Sequence, residues 1–144
     1  MERVSVEVPA ALVGAVRDTV VLLYDSTVEA LHFALRSHLD GGEPRDEAKS
    51  CRARLAELDG LLIGLGWWGD AALAGRAGGV GLTAGREVLH DALYGSLIEA
   101  GERLAAACGE GWRDGVCPDP VRGAAMEVIA LDGLLAELRS QRGT

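Results

Sequence analysis

Aromatic side chains are scarce in this sequence: Trp, Tyr and Phe together make up 4% of 144 residues, although hydrophobic residues as a whole reach 49%. A core must therefore be assembled from Leu, Val and Ala, the usual material of packed helices, and the balance favours an all-α protein. Cationic side chains are also in deficit, with 14 Lys and Arg against 22 Asp and Glu, a formal charge of -8 and a pI near 4.8. That deficit argues against a broad nucleic-acid or anionic-membrane footprint, because such partners reward clustered cations through counterion release.

Long apolar runs are missing as well. The stretch VVLLY at Val20 to Tyr24 is bounded by Asp18 and Asp25, far short of the roughly 20 residues a spanning helix needs. The opening MERVSVEV has no basic region followed by an apolar one, unlike a signal peptide. The expectation is a cytoplasmic protein with no membrane partner. Cysteine is limited to Cys51, Cys108 and Cys117, an odd number without the CxxC spacing of a zinc site. Reduced thiols fit that pattern better than a Cys108–Cys117 bridge across a predicted turn.

What is present is repetition. LLYDSTVEAL at Leu22 to Leu31 resembles ALYGSLIEAG at Ala92 to Gly101, and LDGLL at Leu58 to Leu62 returns at Leu131 to Leu135. Two matches in the same order and at nearly the same spacing point to duplication of one unit of about half the chain. Apolar positions Val13, Val16, Val20, Leu23, Thr27, Ala30 and Ala34 step by three and four, which predicts an amphipathic helix. Ala48, Cys51, Leu55, Leu58, Leu62 and Leu65 predict a second, and Val121, Ala124, Val128, Leu131, Leu135 and Leu138 its later counterpart. A third helix is expected from about Thr83 to Ala107.

The organisation read from these patterns is a single domain over 1–144. It consists of a hairpin unit at about 10–66, a Gly-rich connection at 64–82 and a second hairpin unit at about 83–141, with a short N-terminal strand. Four helices from two tandemly duplicated hairpins then form a four-helix bundle. Leu58, Leu62, Leu131 and Leu135 pack inward, and the mid-helix Gly60 and Gly133 imply close approach by a neighbour. Hairpin geometry places Tyr24 level with Asp59 and Tyr94 level with Asp132, which predicts a hydroxyl–carboxylate hydrogen bond in each unit.

The connection GLGWWGDAALAGRAGGVG lacks the Lys-Ser/Thr ending of a phosphate loop. Its Trp67 and Trp68 either cap the bundle end or mark a surface for a protein partner.

Motifs for chemistry are few. Glu29 with His32 and Glu87 with His90 have the ExxH spacing of dimetal bundles. Glu29 and His32 share a polar helix stripe with Asp18, Asp25 and Arg36, and Glu87–His90 has no counterpart in the other unit. A solvated face accounts for them better than a metal. No cysteine or histidine has a base or oxyanion donor beside it in sequence, so no catalytic, cofactor or metal residue is assigned.

RVSVEVP alternates Arg3, Ser5 and Glu7 against Val4, Val6 and Val8, a strand pattern closed by Pro9. Ser26-Thr27-Val28-Glu29 has the form of a capping box. With Leu12, Val16 and Leu23 between them, the segment 1–40 resembles the ribbon-helix-helix DNA-binding family. The resemblance implies an intertwined dimer, a second helix opening at Ser26, and Arg3, Ser5 and Glu7 presented to the major groove.

The preferred reading is nevertheless a non-enzymatic, homo-oligomeric interaction or regulatory module, most simply a dimer. Leu12, Val21, Leu22, Val28, Leu31, Phe33 and Leu35 give the first helix more apolar surface than one seam uses. A DNA-binding regulator with an acidic helical C-terminal part is the alternative, and a metal-binding bundle the third reading.

Overall fold

The computed structural model describes residues 3–39, 45–66, 79–111 and 117–141. Strand β1 (Arg3–Val8) leads through a 3-10 turn at Ala10–Leu12 into α1 (Val13–Leu39), followed by α2 (Arg45–Gly64). Strand β2 (Val80–Gly85), α3 (Arg86–Gly111) and α4 (Asp119–Ser140) repeat the same order. Over the described residues the protein is thus mostly helical, with four helices and one two-stranded sheet. No helix of the described residues is long and apolar enough to cross a membrane.

β1 forms as its alternation predicts, with Val4, Val6 and Val8 buried and Arg3, Ser5 and Glu7 outward. β1 pairs antiparallel with β2 of the same chain, Arg3 opposite Gly85 and Val8 opposite Val80. The connection expected over 64–82 therefore gives way at Val80 to a strand, and the third helix begins at Arg86 rather than Thr83. Val80, Leu82 and Ala84 turn inward against Val8, Val6 and Val4, so both strands present one apolar face to the helices. Gly79 allows the two strands to meet closely, because a Cβ there would lie 2.5 Å from the Val8 carbonyl oxygen.

α1 runs unbroken through Tyr24 and Asp25, a stretch without Gly or Pro. Ser26 opens no helix. Its hydroxyl donates to Leu23 O at 3.4 Å and that of Thr27 to the same oxygen at 2.7 Å, so both are satisfied by the preceding turn. α2 ends where Gly66 adopts a φ of 76°, the left-handed conformation that glycine reaches without steric cost.

The α1–α2 and α3–α4 hairpins pack internally and meet through α1 against α3. β2 lies on α2 and β1 on α4, so the ribbon ties the halves together crosswise. The core gathers at this end, around Leu58, Leu61, Leu62, Leu131, Leu134, Leu135 and the inward strand residues. Where α1 crosses α3, Thr19 and Ser96 are both buried and their hydroxyl oxygens lie 2.8 Å apart.

Burial follows a common register, the one that sets Leu58 equivalent to Leu131. Val16, Thr19, Val20 and Thr27 are buried on α1, and so are their equivalents on α3, Leu89, Ala92, Leu93 and Ala100. Ala48, Leu58, Leu61, Leu62 and Leu65 correspond in the same way to Val121, Leu131, Leu134, Leu135 and Leu138. The LLYDSTVEAL match falls outside that register, since it pairs Leu22 with Ala92 where burial pairs Leu22 with Gly95. Tyr24 is consequently half-buried while Tyr94 is exposed.

Two expectations about packing need correction. Added Cβ atoms at Gly60 and Gly133 would meet nothing within 4 Å, so neither glycine serves a close approach within the chain. Both stand on outer helix faces, one position from the inward leucines. Among the described residues no hydrogen bond joins Tyr24 to Asp59 or Tyr94 to Asp132. Tyr94 instead stacks on His90, one turn back along α3, with ring centroids 5.6 Å apart, while Asp132 is exposed. Equal height along a hairpin does not bring two flanking side chains together when each points around its own helix.

Candidate functional site

The ribbon end carries most of the polar structure. Arg3, Ser5 and Glu7, the residues singled out as DNA readers, share the outward face with Thr83. Ser5 Oγ and Thr83 Oγ1 lie 2.8 Å apart across the ribbon. Arg3 Nη1 donates to Glu57 Oε1 at 2.7 Å, so this cation is already engaged by a carboxylate from α2. The other oxygen of Glu57 accepts the Gly85 N–H at 3.2 Å, just ahead of α3. One side chain thereby anchors the start of a helix from a different half of the chain, where a negative charge suits the exposed N–H groups.

The opposite side of the ribbon is closed by Gln141. Its amide oxygen accepts the Ser5 N–H at 3.0 Å and its amide nitrogen donates to Ser5 O, imitating a short piece of neighbouring strand. Arg86 holds the same region by donating to the carbonyl oxygens of Leu138, at 2.7 Å, and Gln141. These contacts cover part of β1's free edge, which would otherwise offer unpaired main-chain groups.

A cleft of about 160 Å³ opens between α2 and the start of α3, walled by Ser50, Arg54, Glu57, Arg86 and Glu87. Its charges are largely committed elsewhere. Arg54 donates to Asp91 at 2.8 Å, Arg86 to the α4 carbonyls, and Glu57 accepts from Arg3 and Gly85. Among the described residues neither a nucleophile with its base nor a convergent set of uncommitted donors lines the space. Glu29 and His32 stand on α1 and Glu87 and His90 on α3. Among the described residues no three His, Cys, Asp or Glu side chains come together as a metal site would require. Trp67 and Trp68 lie outside the described residues.

The outer helix faces are a different kind of surface. On α1, Leu22 is 57% exposed and Phe33 58%, with Val28 and Leu35 also open. On α4, Met126 and Ile129 are more exposed still, at 63% and 66%, and lie one helical turn apart on one face. Neither α4 residue emerges from the inward stripe of Val121, Ala124, Val128 and Leu131. Counting apolar residues off the stripe, as for the first helix, would have found them. Glu57 and Gln141 carry no comparable signal, since only the tertiary fold brings them to the ribbon.

No protein-family model, curated protein or solved structure matches the chain.

Proposed function

We propose that this chain is a non-enzymatic, homo-oligomeric interaction or regulatory module, a helical bundle made from two copies of a strand–helix–helix unit. The observation that carries the reading is the pair Met126 and Ile129, the most open of the large hydrophobic side chains described, side by side on α4. Scattered single apolar residues on a surface need no explanation, but neighbours on one face, backed by a second open set on α1, fit a covered surface. A symmetric dimer is the simplest closed assembly that would cover it.

The duplication is supported by the repeated element order and by the burial register shared between the halves. That Arg54, Glu57 and Arg86 of the cleft are engaged by groups outside it favours a scaffold over an enzyme. The experiment is sedimentation equilibrium on the full chain and on a Met126→Asp, Ile129→Asp double variant. The wild type is expected to associate and the variant to be shifted toward monomer; a wild type that never associates would remove the reading.

A second reading rests on the ribbon. An antiparallel strand pair presenting Arg3, Ser5 and Glu7 outward is the element through which the ribbon-helix-helix resemblance would read DNA. The unbroken α1 and the Arg3–Glu57 pair weigh against it. Duplex-DNA binding that weakens steeply with salt and with Arg3→Ala would bring this reading forward.

A further inference from the structure

We infer that α4 is the contact surface for a second copy of this chain, pairing antiparallel with the same helix of that copy about a two-fold axis near Ile129. The inference rests on the homo-oligomer reading and gives it a location and a register.

The outer face of α4 carries its residues in a self-complementary order. Arg122, Met126, Ile129, Gly133 and Glu137 follow at steps of four, three, four and four, and all are exposed. In an isologous contact, residue i of one chain meets j of the other while j meets i. Running this line against its own reverse sets Arg122 opposite Glu137 of the second copy, Met126 opposite Gly133, and Ile129 beside its own mate and Ala130. Each feature then meets a complement.

Gly133 leaves a gap in the row of side chains that faces open space, since an added Cβ would find no atom within 4 Å. Met126 is long, unbranched and polarizable, suited to lying across such a gap. The Glu137 carboxylate has no partner among the described residues, and Arg122 is held only by long contacts on an open surface, with Asp119 at 3.6 Å and the Cys117 carbonyl oxygen, to which it donates, at 3.4 Å. The axis itself passes among Ile129, Ala130 and Gly133; of the charges nearest it, Asp132 stands on the flank of the line and Glu127 is held by Arg103 at 2.8 Å.

The open face of α1 fails the same comparison. Its line runs Asp18, Leu22, Ser26, Glu29, Phe33 and Arg36, which likewise has an acid at one end and a cation at the other. An antiparallel self-pairing in that register, however, gathers Asp25 and Glu29 of both chains near the axis. Four carboxylates converge there, and like charges facing one another oppose association. α4 is therefore the self-complementary surface of the two.

Charge reversal tests the register directly. Sedimentation equilibrium would compare the full-length wild type with Arg122→Glu, Glu137→Arg and the double reversal, with circular dichroism confirming unchanged helicity. Each single reversal sets like charges opposite each other twice per dimer and is expected to raise the dissociation constant at least about tenfold, whereas the double reversal restores it to within about threefold. Gly133→Leu, which has no intrachain neighbour to disturb, should also weaken the dimer by filling the gap that Met126 of the second copy would cover. A wild type that is monomeric at every concentration overturns the homo-oligomer reading together with this one. A dimeric wild type indifferent to both single reversals and to Gly133→Leu leaves that reading standing and overturns the α4 contact. Loss in the single variants without rescue in the double overturns the antiparallel register.

Discussion

The crossing of α1 and α3 permits a sharp test, because one chemical change should have opposite signs at two glycines. Replacing a mid-helix Gly by Ala favours the helix by roughly 1 kcal/mol when space is free. At Gly60 an added Cβ meets nothing within 4 Å, so Gly60→Ala should show most of that gain. At Gly95 the same Cβ would lie 2.7 Å from Thr19 Cγ2, closer than carbon atoms tolerate.

Thr19 has little freedom to yield. Its hydroxyl donates to Ala15 O at 3.2 Å and sits 2.8 Å from Ser96 Oγ, and the residue is buried. Rotating it away breaks those contacts, and leaving it in place shifts one helix against the other. Overpacking of this kind costs about 1–3 kcal/mol, which outweighs the propensity gain and leaves Gly95→Ala destabilised by about 1 kcal/mol or more. In a chain of this size that is a fall of about 3 °C in Tm.

Thr19→Ser keeps the hydroxyl and removes Cγ2, so Gly95→Ala placed on that background should lose most of its penalty. Urea denaturation of the four members of the cycle measures the coupling, expected at about 1 kcal/mol or more. If Gly95→Ala stabilises as much as Gly60→Ala, or if Thr19→Ser rescues nothing, the α1–α3 contact described above is wrong.

Three further outcomes follow from the same structure. Glu57→Ala removes both the Arg3 partner and the acceptor for Gly85 N–H, and should cost about 1–2 kcal/mol in urea melts, with Glu57→Gln losing less because an acceptor remains. Gln141→Ala uncovers the main chain of Ser5, so hydrogen exchange should quicken at the Ser5 amide while the β1 amides bonded to β2 keep their protection. Leu58→Ala and Leu131→Ala, at equivalent fully buried positions, should each cost about 2–5 kcal/mol; a surface-like change at either would contradict the inward register of α2 or α4.

Much of the fold is legible from residue spacing, and the illegible parts have identifiable causes. α2 and α4 announce themselves because leucine marks nearly every inward position, from Leu55 to Leu65 and from Leu131 to Leu138. β1 is legible because three valines alternate with polar residues before a proline. β2 has the same alternation, but Gly81 takes one of its two exposed positions and the strand follows a glycine-rich stretch. Only its pairing with β1 supplies the reason to be a strand.

The glycines of LDGLL mislead for a related cause. Periodicity fixes which residues face the core, whereas it says nothing about whether a neighbour covers the outer face. The Tyr–Asp pairs fail because height along a hairpin is set by register and direction around each helix is not. On the candidate surface, the apolar excess of the first helix is visible in sequence, and so are Met126 and Ile129. That Gly133 beside them faces open space becomes visible only in the structure.

The most direct measurement is the molar mass of the wild-type chain in solution, by light scattering across a dilution series at moderate salt. A value near twice the 15.0 kDa chain mass at high concentration, falling toward one chain mass on dilution, is the expected result for a homo-oligomeric module. A value of 15.0 kDa at every concentration would contradict it and leave the open faces of α1 and α4 without the partner proposed for them.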